Sequence, residues 1–229
     1  MVEIRAVQSN DLDALYRICL ATGSGGEDAR ALYRDPRLLG HVYAAPYAIL
    51  SPRSVFVVED TLGVGGYIVG APDTRELETR LEAEWWPGLR MLYNDPAGES
   101  RAGWSPDQLM IHKIHHPGRT ANEIVEPYPS HLHINLLPHL RGTGIGRKLM
   151  ERWLATVREM GSRGAHLAVG PANRRAIRFY RACGFHELAR RSRLALAPLW
   201  FGIDLTPSAG AVAWGARRDN SGSVESAEE

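Results

Sequence analysis

A glycine-rich segment is the strongest chemical signal in this sequence. It consists of Arg141, Gly142, Thr143, Gly144, Ile145, Gly146, Arg147 and Lys148. Glycines let the backbone turn so that several N–H groups converge, and a helix starting there adds the positive end of its dipole. Three glycines in five positions exceed what an ordinary strand-to-helix turn needs. The segment therefore predicts a binding site for phosphate oxygens, with the basic side chains adding positive charge.

Two common phosphate loops do not fit these residues. The dinucleotide fingerprint Gly-x-Gly-x-x-Gly would need its third glycine where Arg147 stands. The P-loop would need Gly-Lys-Ser/Thr at positions filled by Arg147, Lys148 and Leu149. The pattern that remains is Arg/Gln-x-x-Gly-x-Gly/Ala, which Arg141, Gly144 and Gly146 match.

A second motif lies further along the chain, in a segment predicted to be a helix. The pattern Asn-x-x-Ala-x-x-Phe-Tyr-x-x-x-Gly-Phe is matched by Asn173, Ala176, Phe179, Tyr180, Gly184 and Phe185. With both motifs in this order, the sequence resembles the GNAT superfamily of acetyltransferases. Residues 129–138, together with the long insertion before them, also resemble the acetyltransferase-like domains of some O-GlcNAcases and their free-standing bacterial relatives.

This resemblance implies acetyl-coenzyme A (acetyl-CoA) as the cofactor and an amine on a small molecule or protein as the acceptor. It implies that the backbone of Leu136 and Leu137 pairs with the pantetheine arm and polarises the thioester carbonyl. The pyrophosphate would be held by the backbone of Arg141, Gly142, Thr143, Gly144, Ile145, Gly146 and Arg147. Asn173 would hydrogen-bond the pantetheine, and Tyr180 would protonate the leaving thiolate. Tyr180 could instead be a packed aromatic, and Asn173 a helix cap.

An amine acceptor must lose a proton, so a general base is expected near the thioester. The candidates are Glu126, His131, His133, and Asn135 acting through a water. Of these, His133 is the predicted general base. The last three alternate with apolar residues and should share one strand face. A histidine on a sheet face can equally be a hydrogen-bonded structural residue.

No metal site is expected. His112, His115 and His116 are close in sequence, but the pattern shows neither a regular element to fix them nor a carboxylate at ligand spacing. Solvated loop histidines are the simpler interpretation.

The periodicity predicts an α/β fold, with a GNAT-type mixed sheet of about six to seven strands flanked by helices on both faces. The predicted strands are 2–7, 54–58, 64–69, 130–136, 165–169, 185–190 and 199–205. The predicted helices begin near Ser9 or Asn10, near Gly144 and at Asn173, with a further helix-favouring segment at 75–85.

The chain is predicted to form one domain, 1–206, followed by a flexible tail, 207–229. Residues 72–129 form an insertion in which 87–129 show little periodicity, so a loop facing the substrate is expected. Trp85, Trp86 and Trp104 should line the acceptor cleft or form a satellite core.

Bulk properties exclude several classes of protein. With 27 Lys and Arg against 26 Asp and Glu, the net charge is too small to attract nucleic acid or an anionic membrane by electrostatics alone. No apolar segment has the length of a membrane span or of a signal peptide. Cys19 and Cys183 are expected as buried thiols, which is typical of a reducing compartment. The protein is therefore predicted to be cytoplasmic, and it is expected to be a monomer or homodimer. The alternative to an enzyme is a pseudo-acetyltransferase that binds cofactor or peptide.

Overall fold

The computed structural model describes residues 2–98, 103–188 and 197–206. Its centre is a seven-stranded mixed sheet with strand order β1-β2-β3-β4-β5-β7-β6. The strands are β1 (Glu3–Ala6), β2 (Phe56–Asp60), β3 (Gly63–Ala71), β4 (Ser130–Leu136), β5 (Gly164–Val169), β6 (His186–Glu187) and β7 (Leu199–Asp204). The predicted fold class is confirmed.

Helices cover both faces of this sheet. They are α1 (Leu12–Ala21), α2 (Leu38–Tyr43), α3 (Ala45–Leu50), α4 (Thr74–Arg80), α5 (Trp86–Leu92), α6 (Pro106–His115), α7 (Asn122–Val125), α8 (Ile145–Glu159) and α9 (Arg174–Ala182). A π-helical turn, Leu81–Trp85, joins α4 to α5. Among the described residues, no helix is long and apolar enough to cross a membrane.

The pairing of β4 is asymmetric, and this asymmetry creates an opening in the sheet. Antiparallel pairing with β3 runs along β4 from His131 to Leu136. Parallel pairing with β5 stops after Ser130–Ala165 and His131–His166. Beyond that point β4 and β5 separate, so the β5-facing edge of β4 is left open among the described residues.

The two faces of β4 belong to different cores, because side chains alternate along a strand. Leu132 lies with α8 and α9 in a cluster that includes Leu149, Trp153 and Tyr180. The opposite face is covered by a second cluster of residues from α1, α3 and β3, including Tyr47. The opening between β4 and β5 therefore lies between two packed layers.

The insertion is helical, which corrects the expectation of a loop over 87–129. α6 begins with a capping box in which Ser105 accepts from the backbone of Gln108 and the Gln108 side chain accepts from that of Ser105. Pro106 occupies its first turn, where a missing N–H costs nothing. α5 likewise carries Pro87 in its first turn. Pro87 and Pro106 therefore stand at the starts of helices within the segment that was predicted to be a loop.

Other predicted elements differ in extent. The strand predicted at 185–190 is observed as His186–Glu187, and positions 189–190 lie outside the described residues, as does the predicted tail at 207–229. Cys19 is buried, whereas Cys183 is partly exposed, and both are free thiols. Helices α2 and α3 were not predicted.

Candidate active site

A cradle of backbone N–H groups lies at the open end of β4. Gly142 and Gly144 adopt φ values of 75° and 83°, which non-glycine residues rarely adopt. The N–H groups of Gly142, Thr143 and Gly144 meet no acceptor among the described residues. These exposed N–H groups precede the first turn of α8, so the segment can bind an anion.

The guanidinium groups of the two arginines that flank the cradle already have hydrogen-bond partners. Arg141 donates from Nε to the carbonyl of Leu136 at 2.9 Å and from Nη2 to that of Gly26 at 2.5 Å. Arg147 donates from Nη2 to the carbonyl of Ala182. These contacts tie the ends of the cradle to neighbouring segments of the chain.

Backbone bonds narrow the cradle further. The N–H of Arg141 donates to Pro138 at 3.1 Å, and that of Arg147 to Gly144 at 3.2 Å. Ile145 is buried, and its N–H makes a long 3.4 Å contact with the Thr143 hydroxyl. The N–H of Gly146, like those of residues 142–144, meets no acceptor among the described residues, so the free N–H groups lie within the predicted 141–147.

Gly146 has a packing role in the first turn of α8. A Cβ at this position would lie 3.1 Å from Leu136 Cδ1 and 3.5 Å from a ring carbon of Phe179. The absence of a side chain therefore lets α8 approach β4 and α9 closely, which places the cradle at the opening.

The backbone groups of β4 alternate between β3 and the opening. The N–H of Leu137 donates to the Gly65 carbonyl at 2.9 Å, so the Leu137 N–H is committed to β3. By the same alternation, the N–H groups of Ile134 and Leu136 face the opening. This corrects the expectation for Leu137: Ile134, which the sequence analysis did not select, joins Leu136 at the free edge.

Asn173 caps α9, as the alternative interpretation anticipated. Its Oδ1 accepts from the N–H of Ala176 at 3.1 Å. Its amide nitrogen forms no hydrogen bond among the described residues and lies near Gly26, 3.6 Å from where a Cβ would stand. A cap through Oδ1 and a ligand contact through Nδ2 are compatible.

Tyr180 lies on α9 in an aromatic cluster. Its ring centroid is 5.6 Å from that of Phe179, 6.1 Å from Phe185 and 6.4 Å from Phe201. Burial, with the nearby Cys183 thiol, raises the pKa of the phenol above its usual value. The hydroxyl forms no hydrogen bond with any described residue. Tyr180 is thus a packed aromatic that also carries a protonated, unused donor at neutral pH.

The other face of β4 carries His131, His133 and Asn135, as predicted. Asn135 donates to the Thr22 hydroxyl at 2.6 Å. Burial lowers the pKa of His131 well below its usual value. Burial also lowers the pKa of His133, to about 4, and the Lys113 ammonium and His166 add to the effect. Both imidazoles are therefore neutral near pH 7.

A directed chain of hydrogen bonds fixes the tautomers of these two rings. The Thr74 hydroxyl donates to the Pro129 carbonyl, so it must accept from the Nδ1–H of His131, 2.7 Å away. The neutral His131 ring then accepts at Nε2 from the Tyr47 hydroxyl at 2.9 Å. The same phenolic oxygen accepts from the Nε2–H of His133 at 3.2 Å. His133 consequently keeps a lone pair on Nδ1, which meets no donor among the described residues.

The remaining base candidate lies elsewhere. Glu126 is exposed, and its carbonyl accepts from Arg163, which directly precedes β5. This position is before β4 begins, at the end where β4 and β5 are still paired. The carboxylate is therefore remote from the opening.

A cavity of about 610 Å³ lies on the His133 side of the sheet. It is lined by residues of the insertion and α2, including Glu78, Trp86 and Lys113. The Lys113 ammonium donates to the Tyr43 hydroxyl at 2.6 Å, and the Tyr43 ring lies 5.5 Å from that of His133. The cavity wall is thus linked to His133 through two side chains.

The three tryptophans of the insertion have different environments. Trp86 is 4% exposed and forms a small core with Leu38, Leu89 and Ile114. Trp85 is partly buried and donates to the carbonyl of His41 at 2.9 Å. Trp104 packs its ring against His112. The satellite core is therefore observed, although Trp86 also lines the cavity.

Comparisons with known proteins agree with this geometry. A family model described as the Acetyltransferase (GNAT) family matches residues 108–185. The crystal structure of SsHAT is 35% identical, with 90% of this chain and 99% of that chain covered and a TM-score of 0.82. The chain belongs to the GNAT family of acetyltransferases.

Two further similarities are more distant. Protein O-GlcNAcase of Rattus norvegicus is 24% identical over 188 residues, which is 82% of this chain and 20% of that protein. The chain thus spans about a fifth of the length of the curated relatives it matches. The structure of yncA from Salmonella typhimurium with its cofactor acetyl-CoA shares the fold, at 18% identity, 93% and 99% coverage and a TM-score of 0.52.

The residues of this GNAT member fit the cofactor that the family uses. An N–H cradle suits a pyrophosphate, and the unpaired N–H groups of Ile134 and Leu136 suit an arm with amide carbonyls. Both features lie at the same end of β4.

Tyr43, Tyr47 and Thr74 were missed by the sequence analysis because no local pattern marks a side chain that acts through a distant strand.

Proposed function

We propose that this protein transfers the acetyl group of acetyl-CoA directly to an amine of a small molecule or protein. The observation that carries the proposal is the separation of β4 from β5 beyond His131, with the N–H cradle at its end. Acetyl-CoA, when bound, supplies a thioester whose carbonyl carbon an amine can attack. Every other contribution comes from the residues around the opening.

The cofactor side would work through the backbone. Gly142, Thr143 and Gly144 would hold the pyrophosphate, and Asn173 would donate from Nδ2. The N–H groups of Ile134 and Leu136 would hold the arm and polarise the reacting carbonyl, since donors fixed beforehand need no reorganisation during reaction. The Leu136 carbonyl accepts a hydrogen bond from Arg141, so the Leu136 N–H is the group of this residue that stays free.

Tyr180 would act as the general acid. A buried phenol with a raised pKa keeps its proton near pH 7, and its hydroxyl has no competing partner among the described residues. It lies on the α9 face of β4, opposite to His133. A thiolate leaving on that face could accept the phenolic proton.

His133 would act as the general base on the acceptor face. Its Nδ1 lone pair is kept free by the chain through Tyr47, His131 and Thr74. Its lowered pKa makes it a weak base, which suffices because an amine nitrogen becomes strongly acidic as its bond to carbon forms. The proposed acid, Tyr180, and the proposed base, His133, lie on opposite faces of β4. This arrangement suits direct attack, in which the amine approaches the thioester from one face and the thiolate leaves on the other.

The acceptor would approach through the cavity beside Lys113 and Tyr43. Its carboxylates are already neutralised, since Glu78 accepts from Arg75 at 2.6 Å and Glu82 from Arg90 at 2.5 Å. A strongly charged polyamine would therefore find little attraction there, and we favour a small or peptide amine. A module that only binds cofactor or peptide is less well supported, because such a role requires neither Tyr180 nor His133.

The test is release of free coenzyme A from acetyl-CoA in the presence of a panel of amines. We expect acetyl-CoA to raise the melting temperature, as a ligand of the native state must, and at least one amine to accelerate release above hydrolysis. No melting shift at millimolar acetyl-CoA would refute the cofactor site. A melting shift with no acceleration by peptide amines, amino sugars, aryl amines or polyamines would support the binding module.

A further inference from the structure

Three side chains outside the proposed active site converge at the end of α6. Asp95, His112 and His116 each offer a ligand atom, and these atoms lie within 4.8 Å of one another. His116 Nε2 is 2.6 Å from Asp95 Oδ2, and His112 Nδ1 is 3.8 Å from Asp95 Oδ1. No other set of three His, Cys, Asp or Glu converges in this way within residues 2–98, 103–188 and 197–206.

The structure supplies both features whose absence argued against a metal in the sequence. α6 spans Pro106–His115 and is closed by His116, so His112 and His116 are one helical turn apart on the same side. Asp95 reaches them from the segment after α5, which provides the carboxylate. The sequence could not show this, because Asp95 lies 21 residues from His116.

We propose that Asp95, His112 and His116 bind a divalent transition metal ion of borderline softness, with Zn²⁺ as the expected ion. Two imidazole nitrogens and one carboxylate oxygen form a ligand set that Zn²⁺ uses, whereas Mg²⁺ and Ca²⁺ prefer oxygen ligands throughout. Three protein ligands leave a fourth position for water or another small ligand.

The ligand atoms lie within 4.8 Å of one another and must draw closer together to receive the ion. Tetrahedral Zn²⁺ with bonds of about 2.1 Å sets its ligand atoms roughly 3.4 Å apart. The 2.6 Å and 3.8 Å separations lie on either side of that value. On binding, the ion takes the place of the proton between His116 Nε2 and Asp95 Oδ2, and that proton moves to Nδ1 of the ring or, where Nδ1 already carries a proton, to solvent.

The surroundings hold the ligands together without the ion. The His112 and His116 rings lie 4.4 Å apart, and the Trp104 ring is 4.9 Å from that of His112. His115 approaches the Tyr93 carbonyl at 2.7 Å, which fixes α6 against the segment that carries Asp95. A bound ion would strengthen this junction, and the same helix carries Lys113 in the cavity wall. The proposal does not depend on the acetyl-transfer chemistry.

The experiment is a titration of the full, tag-free, chelator-treated chain with Co²⁺, followed by Zn²⁺. We expect one Co²⁺ per chain with visible absorption typical of a low coordination number, and loss of this absorption when Zn²⁺ displaces it. Zn²⁺ at a hundredfold over its dissociation constant should raise the melting temperature by roughly 5 °C or more.

His116→Ala and Asp95→Asn should each reduce affinity at least tenfold. The matched control is His115→Gln, which removes a neighbouring histidine outside the cluster and keeps a donor for the Tyr93 carbonyl. All three variants should retain the wild-type melting shift with acetyl-CoA, which reports folding. The proposal is overturned if the wild type binds no Co²⁺ or Zn²⁺ at submillimolar concentration, or if His115→Gln weakens binding as much as His116→Ala.

Discussion

The two faces of β4 are built in different ways and, in the proposed function, would recognise their ligands differently. On the face toward α8 and α9, the candidate cofactor site is built largely from backbone N–H groups of residues 142–144 and of the strand itself. On the opposite face, His133 depends on side chains from α3, α4 and α6. A site made of backbone is tolerant of side-chain changes but sensitive to backbone geometry. A site made of side chains has the reverse sensitivity.

The largest effect should come from changing the backbone side at Gly144. A Cβ there meets no protein atom within 4 Å, so a Gly144→Val side chain would occupy the space of the pyrophosphate. We expect acetyl-CoA affinity to fall at least about a hundredfold, because φ of 83° would also be strained. The measurement is the acetyl-CoA-dependent shift in melting temperature.

Gly63→Val is the matched control for that variant. Gly63 has φ of 91° and equally open surroundings, but it is the first residue of β3, directly after the turn from β2. Both variants should lose on the order of 1–2 kcal/mol of unfolding free energy from strain, and only Gly144→Val should lose the cofactor shift. An unchanged shift in Gly144→Val would place the pyrophosphate elsewhere.

The next effect should come from Tyr180→Phe, which removes one hydroxyl and keeps the packed ring. If Tyr180 protonates the thiolate, turnover should fall roughly a hundredfold, the lower end of the range for a positioned acid, since coenzyme A is not a strongly basic leaving group. Melting temperature and acetyl-CoA affinity should change little, because the hydroxyl has no hydrogen-bond partner among the described residues. Full turnover by the variant would leave Tyr180 with a packing role alone.

The same contrast between faces explains how far the sequence could predict the structure. The starts of α8 and α9 follow from Gly144 and Asn173 because caps act on residues next to them. The Tyr47–His131 hydrogen bond spans 84 residues, so no local pattern encodes it. The side-chain partners of Arg141 could not be predicted for a related reason, since the fold brings the carbonyl groups of Leu136 and Gly26 within reach of its guanidinium group.

Tyr47→Phe should have a smaller effect that is specific to the acceptor face. Without the Tyr47 hydroxyl, nothing holds the proton of His133 on Nε2, so the ring should populate both neutral tautomers. We expect turnover to fall roughly tenfold, with little change in acetyl-CoA affinity. Nitrogen-15 NMR of the imidazole rings at pH 7 measures the tautomers directly. Tyr16→Phe, which removes a comparable hydroxyl 2.8 Å from His41, is the control.

That pair of variants separates positioning from general loss of packing. A single Nε2–H tautomer of His133 in Tyr47→Phe would contradict the directed chain, whatever the activity. A drop in turnover in Tyr16→Phe of the same size would indicate that either hydroxyl merely supports the fold. The expected pattern is a tautomer change and reduced turnover in Tyr47→Phe alone.

The smallest effect concerns the pH dependence of stability. The pKa of His133 is about 4 in the folded chain and near 6.5 when unfolded, so between these values the unfolded state binds more protons. The unfolding free energy should therefore be fully maintained above pH 6.5 and fall as the pH drops toward 4, with no further loss from this group below that. Because His133 is partly exposed, we expect its share to be on the order of 1–2 kcal/mol, less than the full shift implies.

His133→Gln keeps a donor for the Tyr47 oxygen but cannot titrate, so urea unfolding between pH 6.5 and 5 should show a shallower decline than in the wild type. Carboxylates contribute equally to both proteins, and His131 and His166 remain in both. Identical declines would mean that the His133 ring is protonated in the folded chain as readily as in the unfolded one, and the neutral base with its free Nδ1 would have to be abandoned.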